Sequence, residues 1–137
     1  MAMQDHTQDQ AKAQQAPTLN LNSVMIGTAQ PKVLAEFYEK VFGRPADMIE
    51  GDWYMWQVGS AALSVGEHSE VKGQAKEPAR IILNLETKAV QAEFERLKGM
   101  HVTVIKEPYE MGSEGAWVAT LADPDGNLIQ LMTPWEM

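Results

Sequence analysis

The chain of 137 residues contains no cysteine, which removes disulfide staples, thiolate metal sites and thiol nucleophiles together. It is also short of positive charge: 11 Lys and Arg stand against 19 Asp and Glu, a net charge of −8. The cations are scattered, so the phosphate-neutralising patch that nucleic acid requires is missing, and DNA and RNA are not expected partners. No apolar run approaches the roughly 18 residues of a membrane helix, and the N-terminal stretch has no apolar segment of signal-peptide type. The expectation is a soluble, cytoplasmic protein with no membrane partner. What is present is an ordinary globular balance, 45% apolar and 22% charged, in a length that suits a single domain.

Residues 1–18 are almost all Gln, Ala, Asp and other small or polar types, with no apolar face to offset the entropy of ordering, and read as a disordered polar tail. Residues 19–137 carry the domain. Leu21 to Thr28 suits a strand, and Pro31 then opens a helix whose apolar positions Val33, Leu34, Phe37, Tyr38, Val41 and Phe42 recur at helical spacing. Gly43 stands where a left-handed cap is wanted. Extended runs follow near 46–50, 52–58 and 61–66, the last two joined by a Gly59-Ser60 hairpin turn. A polar linker, 67–78, precedes the same order again: strand 79–86, a helix from Thr87 to Gly99, a strand from His101, then strands around 115–122 and 127–132. Val33-Leu34-Ala35-Glu36-Phe37 also matches Val90-Gln91-Ala92-Glu93-Phe94 at a shift of 57, the mark of a repeated unit. The fold expected is α+β: two paired βαβββ modules, about 19–66 and 79–134, forming a curved mixed sheet with a cleft on the face its helices do not cover.

The second module ends in Leu121-Ala122-Asp123-Pro124-Asp125-Gly126-Asn127 followed by Leu128-Ile129-Gln130-Leu131, a tight turn feeding a last strand. That segment, the Phe37-Tyr38 pair and the two-module order resemble the vicinal oxygen chelate superfamily of glyoxalases, extradiol dioxygenases, and fosfomycin- and bleomycin-resistance proteins. The resemblance implies four strand positions at which the enzymes of that superfamily hold a divalent metal with His and Glu. Carried over by spacing, those positions fall on Ser23, Ser64, Arg80 and Gln130. Three neutral oxygen donors beside a fixed guanidinium make a poor set for such an ion. A member without metal ligands is therefore expected, with no cofactor. Glu67, His68 and Glu70 form a separate cluster of ligand types just past the fourth strand, with His101 starting a later one, and that loop reads better as a solvated, acidic connector.

Strand phase indicates what lines the cleft. Opposed residues of a hairpin share a face, so the Gly59-Ser60 turn sets Trp53, Met55, Gln57 and Ser64 inward, leaving Tyr54, Trp56, Leu63 and Val65 against a helix. The same count across an Asp123–Gly126 turn places Trp117 and Ala119 inward with Leu128, Gln130 and Met132. Met25 and Asn84 extend the surface. The cup is rich in indole and thioether, suited to a flat organic molecule. Arg80 on such a face needs a carboxylate or an anionic ligand. Glu107, Glu110 and Glu114 before Trp117 offer an acidic rim that would attract cationic aromatic compounds. These features point to a binding protein resembling bleomycin-resistance proteins, sequestering an organic drug or metabolite that is cationic or aromatic. The rivals are a metalloenzyme of glyoxalase or dioxygenase type and a module whose apolar sheet faces close on forming a homodimer.

Overall fold

A computed structural model describes residues 18–112 and 115–134. The expected tail lies almost wholly outside the described residues, as does Glu114. The first module runs β1 (Ser23–Thr28), α1 (Pro31–Phe42), β2 (Met48–Glu50), β3 (Trp53–Val58) and β4 (Ala61–Glu67). After a connector and one 3-10 turn (Pro78–Arg80), the second runs β5 (Ile82–Glu86), α2 (Val90–Gly99), β6 (Thr103–Glu110), β7 (Trp117–Ala122) and β8 (Leu128–Met132). Each module is a four-stranded mixed sheet, ordered β1-β4-β3-β2 in the first and β5-β8-β7-β6 in the second. The α+β class and the duplicated βαβββ unit expected from the sequence are what the chain forms. In both sheets the first and last strands pair in parallel and the other neighbours run antiparallel.

Local chemistry accounts for the helices. Pro31 occupies the first turn of α1, where its missing N–H costs nothing. Gly43 closes the helix at φ 72°, its N–H donating to the Glu39 carbonyl at 2.8 Å. The face Leu34, Ala35, Phe37, Tyr38 and Val41 is buried, as are Val90, Phe94 and Leu97 of α2. Thr87 does not cap α2; its hydroxyl accepts from the Ala89 N–H, and Ala89 stands at the cap position. His101 follows α2 at φ 65°, a left-handed seat that His tolerates better than most residues.

Both helices and the helix-facing sides of both sheets contribute to one core, which joins Trp56, Leu63 and Val65 of the first sheet to Ala119, Leu121, Ile129 and Leu131 of the second. Full burial of a side chain of this size contributes about 1.5–3 kcal/mol. Trp56 buries its indole without an orphan donor, because Nε1 bonds the Arg44 carbonyl at 3.0 Å.

Polar ties join the modules. The Tyr38 hydroxyl donates to Asp123 Oδ2 at 2.8 Å, with both residues buried. Gln30 Nε2 donates to Asp125 Oδ1 at 2.7 Å. Asp123 also accepts from the Asp125 and Asn127 N–H groups and from Asn127 Nδ2, each at 2.9 Å. Arg96 of α2 donates from Nη1 to the Lys40 carbonyl at 2.7 Å and from Nη2 to that of Val41 at 2.8 Å. It thereby satisfies orphan carbonyls at the end of α1 and sets a cation at the negative end of its dipole.

Candidate functional site

Ladder register assigns every strand residue a face. In the first sheet Met25, Ser64, Met55 and Met48 stand opposite one another as a row across all four strands. Ser23, Ala62 and Gln57 form the row on one side of it. The row on the other side is Gly27, Gly66, Trp53 and Glu50. The pairings expected from the Gly59-Ser60 turn are the ones formed. Ser23, Met25, Trp53, Met55, Gln57 and Ser64 therefore share the face turned away from the helices. This face is open: Met25 is 59% exposed and Met48, which the sequence analysis did not single out, 56%. Met48 was legible in principle, since its strand pairs with the one bearing Met55.

Trp53 has a defined seat there. A Cβ built on Gly66 would lie 2.1–2.4 Å from Cδ2, Cε3 and Cε2 of Trp53, atoms at and beside the ring fusion. The indole thus lies flat across the sheet, and only glycine at 66 permits that approach. Gln57 is less available. Its Nε2 donates to the Gly59 and Ala61 carbonyls at 3.1 and 3.0 Å, bracing its own hairpin. At the root of that hairpin Asp47 accepts from Arg44 and from the Gln57 N–H, and these bonds hold its carboxyl below the usual range.

In the second sheet Asn84, Gln130, Thr120 and Lys106 form one row, and Glu86, Met132, Val118 and Tyr109 another. Asn84, Gln130 and Met132 thus share the face away from the helices, and Gln130 Nε2 reaches Thr120 Oγ1 at 3.4 Å. Trp117 and Ala119 do not join them, contrary to the expectation from the sequence. The count assumed a four-residue turn, but the Asp123 N–H donates to the Asn127 carbonyl at 2.8 Å, leaving three residues in the turn. Ala122 therefore pairs with Leu128, and the phase of β7 slips by one residue. Ala119 is buried in the core and Trp117 packs half-buried against it.

Arg80 is likewise not on a strand face. Pro78 starts the 3-10 turn, Arg80 ends it, and the guanidinium, 70% exposed, pairs with Glu77 at 2.6 Å. Of the expected acidic rim, Glu107 lies 3.8 Å from Lys98 and Glu110 accepts from the Gly115 N–H. His68 Nδ1 accepts from the Glu70 N–H at 3.1 Å within its connector. The structure thus brings together six of the expected residues on the first sheet and, with Leu128 in phase with Gln130, four on the second. The helix-covered sides of both sheets share a core, so these two outer faces look away from it and do not close on each other within one chain.

The architecture and the turn motif can now be compared with known proteins. Residues 20–131 match the family model described as the Glyoxalase/Bleomycin resistance protein/Dioxygenase superfamily. The chain belongs to this superfamily. Solved structures agree in fold. A glyoxalase-related enzyme from Fulvimarina pelagi is 17% identical, over 84% of this chain and 88% of its own, at a TM-score of 0.68. A glyoxalase/bleomycin resistance protein from Albidiferax ferrireducens is 18% identical, over 82% and 98%, at 0.66. An integron cassette protein from the mobile metagenome of V. cholerae is 23% identical, over 87% and 98%, at 0.65. No curated protein matches the chain.

Membership raises the question of a metal. Of the four corresponding positions, Ser23 and Ser64 lie on one outer face, Gln130 lies on the other, and Arg80 is held by Glu77 outside both. Two hydroxyls, an amide and a guanidinium do not make a donor set that fits a divalent ion. Among the described residues, no group of three or more His, Asp and Glu could hold one elsewhere.

The residues that carry the resemblance are structural in this chain. Burial raises the Asp123 carboxyl above its usual value, with the bonds from Asn127 and Tyr38 opposing that shift. Burial and then the neighbouring carboxylate push the Tyr38 phenol well above its ordinary value. The pair is a tether between modules and not a reactive group at the open face.

Proposed function

We propose that this superfamily member binds a small organic molecule without metal and without altering it, on the outer face of the first sheet. The observation that carries the proposal is the indole of Trp53 laid flat over Gly66, beside the thioethers of Met25, Met55 and Met48. A flat aromatic with polarizable neighbours accepts planar ligands by stacking and by sulfur–aromatic contact. Glu50, opposite Trp53, and the overall charge of −8 favour a cationic ligand. Sequestration of a cationic aromatic drug or metabolite, as in a bleomycin-resistance protein, is the activity this surface suits. An open face needs a second wall to enclose such a ligand, and Met25 and Met48, both more than half exposed, favour a homodimer in which a second copy supplies it.

Calorimetric titration with bleomycin and with the planar cation proflavine tests the reading. Saturable binding that is lost in Trp53→Ala is expected. Failure of both compounds to bind at millimolar concentration, or binding indifferent to Trp53→Ala, refutes it. The metalloenzyme alternative is met by loading the protein with Zn²⁺ or Mn²⁺ and dialysing: retained stoichiometric metal together with turnover of a glutathione–methylglyoxal adduct would replace sequestration with catalysis.

A further inference from the structure

The two helices close with different residues. Past α2 the His101 and Val102 N–H groups donate back to the Lys98 and Leu97 carbonyls at 3.0 and 3.2 Å, a closure whose left-handed residue is usually glycine. After α1 that conformation belongs to Gly43, at φ 72°; after α2 it belongs to His101, at φ 65°. A Cβ in such a seat costs stability, and strained seats of this kind cluster at ligand sites. The cap accounts for the His101 backbone but asks nothing of its imidazole. His101 borders a hollow of about 310 Å³ between α1 and the start of β6. Glu36 and Lys40 of α1 border it too, one turn apart. Glu four residues before Lys is a spacing at which the two commonly pair, yet among the described residues neither is in an ion pair. The apolar lining includes Phe37, which is buried, and Val33 and Met100, which are exposed.

We propose that this hollow binds a free apolar α-amino acid of about the size of leucine. The ligand carboxylate would accept from the Lys40 ammonium and from an imidazole N–H of His101, which histidine offers in either charge state. The ligand ammonium would donate to the Glu36 carboxylate. Its side chain would lie against Val33, Phe37 and Met100, in a volume at the small end of the range for ligand sites. A ligand with a single charge leaves either Glu36 or Lys40 unanswered, so a zwitterion is the class that meets both. None of these residues lies on the outer face of the first sheet, and the two sites are independent.

The test titrates the full chain, ¹⁵N-labelled, with L-leucine. Saturable shifts of the backbone amides of 33–40 and 100–103 are expected in the millimolar range. The analogue 4-methylpentanoate lacks the ammonium and 3-methylbutylamine lacks the carboxylate; each should bind at least tenfold more weakly. In His101→Gly the urea midpoint should rise, because glycine suits the left-handed seat, while leucine binding weakens at least tenfold. Lys40→Gln should weaken leucine binding by a similar factor with the fold intact by circular dichroism. Trp53→Ala should bind leucine as the parent does, which separates this site from the outer face of the first sheet. The proposal is overturned if leucine at tens of millimolar leaves these amides unmoved, or if either single-charge analogue binds as tightly. It is also overturned if His101→Gly keeps the parent affinity, or if it loses stability, since the imidazole would then serve the fold.

Discussion

Replacing Tyr38 with Phe removes one hydroxyl and leaves the ring in a fully buried site. That hydroxyl donates at 2.8 Å to Asp123, which is 4% exposed. A hydrogen bond to a charged group contributes about 1.5–3 kcal/mol, and the aromatic packing with Phe37 and Phe42 survives the change. For a domain of this size that loss lowers Tm by roughly 6–12 °C. The loss also has a pH signature. Burial raises the Asp123 carboxyl, so between the ordinary carboxylate value and the raised native value the folded state binds more protons than the unfolded chain. The stability contributed by this group is therefore full at acid pH and declines as pH rises through that window. Tyr38 opposes the shift, so Tyr38→Phe raises the carboxyl further and widens the window. The penalty should be largest near pH 7 and shrink as the solution is acidified below the native value. Urea denaturation at several pH values measures it, with the half-buried Tyr54→Phe as a control for loss of a phenol. A penalty under about 0.5 kcal/mol at pH 7, within the range of an ordinary surface change, refutes the reasoning. So does one that grows toward acid.

Gly66→Ala would set a methyl within 2.1 Å of the Trp53 ring. A stability loss of about 1–3 kcal/mol is expected from overpacking, with a change in tryptophan emission and loss of proflavine binding; unchanged binding would separate the ligand from Trp53. Arg96→Ala uncaps the end of α1 and should cost about 1–2 kcal/mol in urea denaturation, because the bonds are charge-assisted but the side chain is one-third exposed. Arg96→Lys should recover less than half of that, since one ammonium cannot reproduce the fork, and full recovery would show that charge alone matters. If the outer face of the first sheet closes on a second copy, Met25→Glu should shift the sedimentation of concentrated protein toward monomer; a mass that is unchanged by the substitution, or monomeric throughout, counts against that closure.

Much of the fold was legible because it is written in short-range chemistry. Pro31 and Gly43 bracket α1, Gly59-Ser60 sets the register of β3 on β4, and the repeat at a shift of 57 announces the second module. The site was legible only as far as register could be counted. On the first sheet a two-residue turn leaves one way to count, and Trp53, Met55 and Ser64 fall on one face as expected. On the second, the count depended on whether Asp123 belongs to the turn or to the ladder. Only the backbone bond to Asn127 decides that, and the error moved Trp117 from the outer face to the core. Arg80 failed for a related reason: the 57-residue shift preserves its parity with Ser23, but Pro78 bends the chain into a 3-10 turn before β5 begins. The flat seat of Trp53 on Gly66 had no sequence signal beyond a glycine inside a strand.

The residues that carried the resemblance, Phe37-Tyr38 and Asp123-Pro124-Asp125-Gly126-Asn127, meet each other in the folded chain. Tyr38 reaches Asp123, and Phe37 packs in the same core. Gln30 at the foot of α1 reaches Asp125, and Asn127 closes the turn onto Asp123. Their spacing answers the need to lock α1 of one module to the last hairpin of the other, and among the described residues no buried side-chain donor or acceptor is left unpaired. A motif constrained in this way specifies the scaffold and leaves the outer faces free to change. Ser23, Ser64 and Gln130, the positions that the resemblance assigns to metal, lie outside the tether and can vary at no expense to it. It follows that Tyr38→Phe should alter stability without altering ligand affinity, while Trp53→Ala should do the reverse. A Tyr38→Phe protein that remains folded but loses proflavine binding would break this separation of scaffold from site.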